Sequence, residues 1–373
     1  MLRISLILLF FLTFNLYPLK AQSWLDRYLK NFNSEEPKDG KPNFLVYPTV
    51  AFSPETKWEF GLSSLYLYYA KDDPNNRLSE ISAFGFYTLE NQYGLWLDHA
   101  NYGDQDKTML LGRLRYQVFP LFYHGIGPGT PAVPAALVDA NYLLLKEHFL
   151  RRIKGFWYGG LYTDLQYLAR SNFIWQKEIG TAPAGADGSF NLGLGLSLVY
   201  DSRHNVLNER DGAFAELSFL NYDQATGSEF NFNSILSDNR WYQDVGSNQV
   251  IAMQALGQFV IGQAPFHMLS LLGGESIMRG YYYGRYRANN LIAAQVEYRI
   301  LPFPFSKRWG ATAFLSSGSV YEDWNELAIN KMLLTGGAGL RFLIFPKKDI
   351  YTRLDFAFTA EGPGFYFFIG EAF

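Results

Sequence analysis

The sequence predicts an all-β fold, a transmembrane antiparallel β-barrel of about 16 strands. Three observations predict it. The chain starts with an export-type leader, it is rich in aromatic residues, and its apolar residues alternate with polar ones over many short segments. No stretch after the leader reaches the about 18 apolar residues that a membrane helix needs. Aromatics make up 18% of 373 residues, with 8 Trp, 26 Tyr and 32 Phe beside 34 Gly. A barrel strand carries only a weak alternating signal, because one of its faces meets lipid and the other a polar interior.

The leader comes first. Arg3 gives a positive start, and Ile4 to Leu16 is apolar except for Ser5, Thr13 and Asn15. Ala21 then precedes Gln22. This is the layout of a secretory signal peptide, with a core too short for a membrane span. Leu19 and Lys20 sit where smaller, neutral residues are usual, so the cut is placed only to within a few positions. The chain has no Cys, which removes lipoprotein processing, disulfides, thiolate metal sites and cysteine nucleophiles together. Loss of residues 1–21 takes away Arg3 and Lys20 and no acid, leaving 30 basic and 35 acidic residues and a net charge of −5. That balance argues against nucleic acid as a partner.

Residues 22–42 follow as a short periplasmic segment. Trp24, Leu25, Tyr28, Leu29 and Phe32 fall at helical spacing, and Asn33 to Pro42 reads as a linker. Two readings stay open: an amphipathic helix on the membrane or in the barrel mouth, or a leader without fixed structure.

The barrel is read over 43–373. Trp58, Phe60, Leu62, Tyr66 and Tyr68 share one face, against Lys57, Glu59, Gly61 and Ser63. Phe190, Leu192, Leu194, Leu196, Leu198 and Tyr200 alternate with Asn191, Gly193, Gly195, Ser197, Val199 and Asp201. Ile292, Ala294, Val296, Tyr298 and Ile300 alternate with Gln295, Glu297 and Arg299. Leu340, Phe342 and Ile344 flank Arg341, and Leu354, Phe356 and Phe358 interleave with Arg353 and Asp355. Lipid cannot solvate charge, so this parity puts Glu297, Arg299, Arg341, Arg353 and Asp355 inside.

Strand centres fall near residues 47, 63, 84, 97, 113, 144, 162, 195, 216, 234, 255, 295, 314, 339, 355 and 368. The patterns near 144 and 234 are the weakest, and 141–153 also suits a short helix. Turn-rich pieces separate the segments at 72–76, 125–134, 180–188 and 265–287. The chain ends on an amphipathic segment closing with Phe373, a terminal aromatic of the kind that outer-membrane assembly machinery recognises.

A family resemblance enters at Met278-Arg279-Gly280-Tyr281, preceded by Gly273-Gly274-Glu275 and followed by Glu297-Tyr298-Arg299 and Pro302-Phe303-Pro304-Phe305. Tyr200-Asp201-Ser202-Arg203 with Asn205 and Asp211-Gly212, the stretch Gly337 to Pro346, Arg353-Leu354-Asp355 and Phe52-Ser53-Pro54-Glu55-Thr56 add to it. Together, over 44–373, these resemble the BamA/TamA superfamily of outer-membrane barrels (the bacterial surface antigen type), which insert or export outer-membrane proteins.

The resemblance implies that the loop between strands eleven and twelve folds inward and that Arg279 pairs with acids on the wall. Glu297 matches one such acid. The second lies in a Phe-x-Asp-x-Gly pattern, which here reads Phe314-Leu315-Ser316-Ser317-Gly318, so Ser316 replaces the acid and Asp355 becomes its substitute. Arg279 then serves either loop anchoring or gating. Family transporters also carry periplasmic POTRA modules, and segment 22–42 is too short to hold one. The chain therefore reads as a short form lacking them.

The resemblance places a seam between the first and last strands. Pro48 cannot donate to a ladder and favours an edge. Gly370 and Phe373 fall at the other side of the seam, while Gly362 to Gly364 read as the final hairpin turn.

Three function classes follow. The first is a component of outer-membrane protein insertion, assembly or export, with outer-membrane lipid and other outer-membrane or periplasmic assembly proteins as partners. The second is a passive pore or structural barrel subunit. The third, a lipid-acting enzyme, has the least support: His99, His124, His148, His204 and His267 lie in no nucleophile motif. No cofactor or metal is expected, since Asp104 and Asp106 lack an ion-binding loop.

Overall fold

A computed structural model describes residues 42–53, 57–89, 91–118, 120–176, 181–346 and 349–373. The leader read over 1–21, and all but Pro42 of the helix and linker read over 22–42, lie outside the described residues.

Alternation becomes strands throughout. The elements are β1 (Asn43–Ser53), β2 (Lys57–Tyr69), β3 (Leu78–Thr88), β4 (Tyr93–Tyr102), β5 (Thr108–Val118), β6 (Leu121–Tyr123), β7 (Ala136–Lys154), β8 (Trp157–Trp175), β9 (Ser189–Asp201) and β10 (Gly212–Tyr222). They continue as β11 (Phe232–Gly246), β12 (Gln249–Gly262), β13 (Ser270–Leu272), β14 (Tyr286–Ala288), β15 (Asn290–Ile300), β16 (Trp309–Tyr321), β17 (Leu333–Phe345), β18 (Ile350–Thr359) and β19 (Gly362–Ile369). The short β6, β13 and β14 belong to connections. The other sixteen each contain one of the expected centres, including 144 and 234. Residues 141–153 are strand, not helix, and lie within β7.

Each long strand pairs antiparallel with the next in a meander from β1 to β19. No described helix is long and apolar enough to cross a membrane. All the long strands but one reach the about 9–11 residues that cross a bilayer when tilted; β19, with 8 residues, falls short.

Burial is inverted relative to a water-soluble sheet. Leu194, Leu196 and Leu198 of β9 are 49%, 63% and 43% exposed, while Ser197 between them is 4% exposed. The next strands extend this face, with Leu161 opposite Leu196 on one side and Phe219 on the other. A soluble protein rarely exposes so broad an apolar surface, whereas lipid requires one. Side chains on the opposite face meet across distant strands. His148 Nε2 of β7 lies 3.1 Å from Glu216 Oε1 of β10, and Arg77 Nη1 lies 2.8 Å from Asp201 Oδ2 of β9. The sheet therefore curves around its polar face.

The chain between β12 and β15 is the longest connection and folds back on this polar face. Its hairpin pairs Ser270–Leu272 with Tyr286–Ala288. Leu272, Ile277, Met278, Tyr281 and Tyr286 pack with Leu291 and Ala293 of β15 and Val320 of β16. The tight turn between β18 and β19 is Ala360–Glu361, so Gly362 to Gly364 open β19 and do not form the turn itself.

Candidate functional site

The connection delivers Arg279 to the polar face. Met278 and Tyr281 are its apolar anchors, both buried in the cluster above. Between them, Gly280 has φ 103, a conformation that favours glycine. A Cβ there would come within 2.5 Å of Thr359 Cγ2. The Gly280 N–H donates to Tyr366 Oη of β19 at 2.9 Å, and Thr335 Oγ1 of β17 donates to the Arg279 carbonyl.

Arg279 is fully buried and bridges two strands. Its Nη2 donates to Glu297 Oε1 of β15, and its Nη1 donates to Asp355 Oδ2 of β18 at 2.7 Å. The pairs continue outward on both sides. Arg299 Nε donates to Glu297 Oε2 at 2.9 Å and lies 3.8 Å from Glu371 Oε2. Arg341 Nη1 donates to Asp355 Oδ1 at 2.6 Å, and Arg341 Nε donates to Glu371 Oε2 at 2.8 Å.

The contacts close a ring of alternating charge: Arg279, Glu297, Arg299, Glu371, Arg341, Asp355 and back to Arg279. Arg353 branches from it, donating to Asp355 Oδ2 at 3.2 Å and to the Glu275 carbonyl at 3.1 Å. The Arg279 guanidinium also stacks 3.6 Å above the Phe314 ring, which adds a cation–π contact. The planar guanidinium fork presents separate N–H groups to the two carboxylates in a fixed geometry.

Four arginines face three side-chain carboxylates, and Arg299 reaches the Phe373 main-chain oxygen as well. Arg279 Nε, Arg299 Nη1, Arg341 Nη2 and Arg353 Nε have no acceptor among the described residues. The carboxylates are all engaged by guanidinium groups, and no described group of three or more His, Asp or Glu could hold a metal ion. The arrangement fixes a long connection to the wall.

The remaining expected residues are placed as follows. Ser316 is buried on β16 and donates to Gln295 Oε1 at 3.4 Å, apart from the arginines. Pro48 lies mid-strand in β1 opposite Leu62. Gly370 follows β19 with φ 85 and donates its N–H to the Tyr351 carbonyl at 2.8 Å. This turn sends the chain inward, so Phe373 is buried beside Tyr242, and its carbonyl accepts from Arg299 Nη2 at 3.2 Å.

Glu371 escaped the sequence reading because it lies beyond the last alternating segment. A second tie also escaped it. Arg285 Nη2 donates to Glu361 Oε1 in the β18–β19 turn at 2.6 Å, and its Nη1 donates to Thr130 Oγ1 at 2.9 Å. The spacing of these residues carries no periodic signal.

Comparisons with known proteins bear on the family and the fold. Residues 155–373 match the family model of the Omp85 superfamily domain. Among solved structures, BamA from Haemophilus ducreyi lacking POTRA domains 1–3 is similar at a TM-score of 0.53 and 14% identity, covering 88% of this chain and 69% of that one. CdiB from Acinetobacter baumannii is similar at a TM-score of 0.57 and 11% identity, covering 88% of this chain and 59% of that one. No curated protein matches. The matched family domain includes the connection, its arginine and every member of the ring, and the chain belongs to the Omp85 superfamily of outer-membrane β-barrels.

Proposed function

We propose that this chain is a closed barrel of the BamA/TamA type that acts in outer-membrane protein insertion, assembly or export. The leader read over 1–21 directs it across the inner membrane. β1 and β19 meet at a seam, and the β12–β15 connection lies in the lumen. The single observation that carries the reading is the ring centred on Arg279, which ties that connection to β15, β17 and β18 and to the segment after β19. Buried charges are costly to desolvate, so such a cluster marks a connection whose placement matters. Depleting the protein should lower the levels of other outer-membrane proteins, measured by quantitative proteomics of outer-membrane fractions. Unchanged levels would overturn the reading.

One observation favours a second reading. Ties at both Arg279 and Arg285 hold the connection firmly, which also suits a plugged structural barrel or passive pore. Planar-bilayer recording separates the two. Steady conductance after deletion of 265–287, together with unchanged outer-membrane protein levels on depletion, would favour the pore.

A further inference from the structure

We infer that the outward face of β4, β5 and β7 carries a binding site for the primary ammonium group of a lipid. The inference rests on the reading that this face meets lipid. Three polar side chains, His99, Asn101 and Glu147, lie together there with Tyr68 of β2, among exposed leucines and aromatic residues. Tyr68 Oη donates to Asn101 Oδ1 at 2.8 Å. Asn101 Nδ2 lies 2.9 Å from His99 Nδ1, and His99 Nε2 lies 3.2 Å from Glu147 Oε2. The Leu110 carbonyl is a longer contact of His99 Nδ1, at 3.3 Å. Parity fixes the direction of all four: Tyr68 shares a face with Trp58, Phe60 and Leu62, His99 and Asn101 with Leu95, and Glu147 with Leu145 and Phe149, all of them exposed.

The site is built by an absent side chain. His99 pairs across the ladder with Gly112, and Gly112 pairs with Glu147. A Cβ on Gly112 would stand 2.2 Å from both Glu147 Oε2 and His99 Nε2. The bare strand between them is what lets imidazole and carboxylate meet.

The hydrogen bonds run in one direction. The tyrosine donates to the amide, the amide donates to Nδ1, and Nε2 with its proton donates to the carboxylate. The relay ends on Glu147, whose side chain is 27% exposed; its Oε1 has no donor among the described residues and is covered until the carboxylate turns about its last torsion to meet a ligand. No nucleophile takes part, so the arrangement binds and does not catalyse. An acceptor at the end of a polarised chain calls for a cationic N–H donor.

A lipid headgroup fits better than a protein cation. Tyr68 and Asn101 are the last-but-one residues of β2 and β4, at the strand ends where headgroups lie. Leu110, Leu145 and Phe149 flank the site with apolar surface suited to acyl chains. An ionisable group facing hydrocarbon is costly unless it has such a partner.

Native mass spectrometry of the protein released from nanodiscs tests this. The nanodiscs hold equal amounts of phosphatidylethanolamine and phosphatidylcholine with matched acyl chains. The trimethylated headgroup keeps the charge but has no N–H. Wild type should retain the primary ammonium lipid about tenfold or more over the trimethylated one, the scale of one charged hydrogen bond. Glu147→Gln and Gly112→Val should abolish the preference while heat-modifiable migration persists.

Equal retention of both lipids by wild type would overturn the inference, and needs no variant to fold. A photo-crosslinking residue at position 145 should yield lipid adducts in cells. Protein adducts in their place would assign Glu147 to a protein cation and also overturn it. If the chain fails to insert into nanodiscs at all, the membrane reading itself falls.

Discussion

Arg279 depends on its shape as much as on its charge. Its two terminal nitrogens serve carboxylates on different strands, and each carboxylate then serves a second arginine. Removing one member of a buried pair leaves the other uncompensated, at a cost of about 3–5 kcal/mol. Arg279→Ala should therefore destabilise the β12–β15 connection by about that amount, read as faster proteolysis between 263 and 289 and a lower temperature of heat-modified migration. Arg279→Lys should recover only part of the loss, because a flexible ammonium lacks the rigid fork that serves both acids and their neighbours; full recovery would show that charge alone suffices.

Glu371→Gln should cost less than Asp355→Asn. Asp355 takes three arginines, whereas Arg299 and Arg341 each keep another acid when Glu371 is lost. Equal losses would sink the ring as a description of this site. Strand parity was enough to put Glu297, Arg299, Arg341, Arg353 and Asp355 on one face. Glu371 was not legible, because the turn at Gly370, and not strand periodicity, brings it there.

At the scale of elements, the β12–β15 connection is held at two places, and each can be loosened separately. Its outer tie is Arg285, which joins the β18–β19 turn through Glu361 and the β5–β7 connection through Thr130. Glu361→Gln should free the outer part of the connection, raising proteolysis near 282–287 while Arg279 stays protected. Hydrogen exchange resolved by peptide would detect the difference, and uniform loosening would mean that the ties act as one.

His267 in the same connection is buried, and burial and the nearby Arg287 push its pKa down to about 3. Neither ring nitrogen has a partner among the described residues. A histidine buried neutral contributes stability above its ordinary pKa of about 6.5. That stability is lost as pH falls from there toward 3. Protease resistance of the connection should drop over this window, and His267→Leu should flatten the profile. An unchanged profile would mean that another group governs the acid response.

Strand existence was legible in the sequence because outward residues had to be apolar for lipid. The outward ladder Leu161, Leu196 and Phe219 is such a case. The helical alternative at 141–153 arose where Leu143, Leu144 and Leu145 run together. Leu145 points out, while Lys146 beside it meets Asp164 on the polar face. The short strands β6, β13 and β14 were not legible, because three residues give no period.

At the scale of the whole molecule, the ladder leaves β1 and β19 as its two ends. An unpaired strand edge in hydrocarbon exposes N–H and C=O groups that nothing there can satisfy, so the ends should meet. The meeting should be weak. Pro48 removes a donor from the middle of β1, and β19 is the shortest of the sixteen long strands at 8 residues. Beyond it the chain turns inward at Gly370 and is held by Arg299 and Arg341 through Phe373 and Glu371. The ring and the end of β19 are thus joined through four residues, so movement of the β12–β15 connection should loosen the end of β19.

Tyr47→Cys with Phe368→Cys tests closure and opening together, with neighbouring pairs covering the other registers. A disulfide needs Cα atoms within about 7 Å. Oxidation should therefore yield a cross-linked species with shifted migration, and failure at every register would mean that β1 and β19 do not meet. Where the bond forms, locking it should reduce the levels of other outer-membrane proteins, and reductant should restore them. Levels that stay normal with the seam locked would exclude lateral opening as the mechanism, while leaving the closed barrel and its buried ring in place.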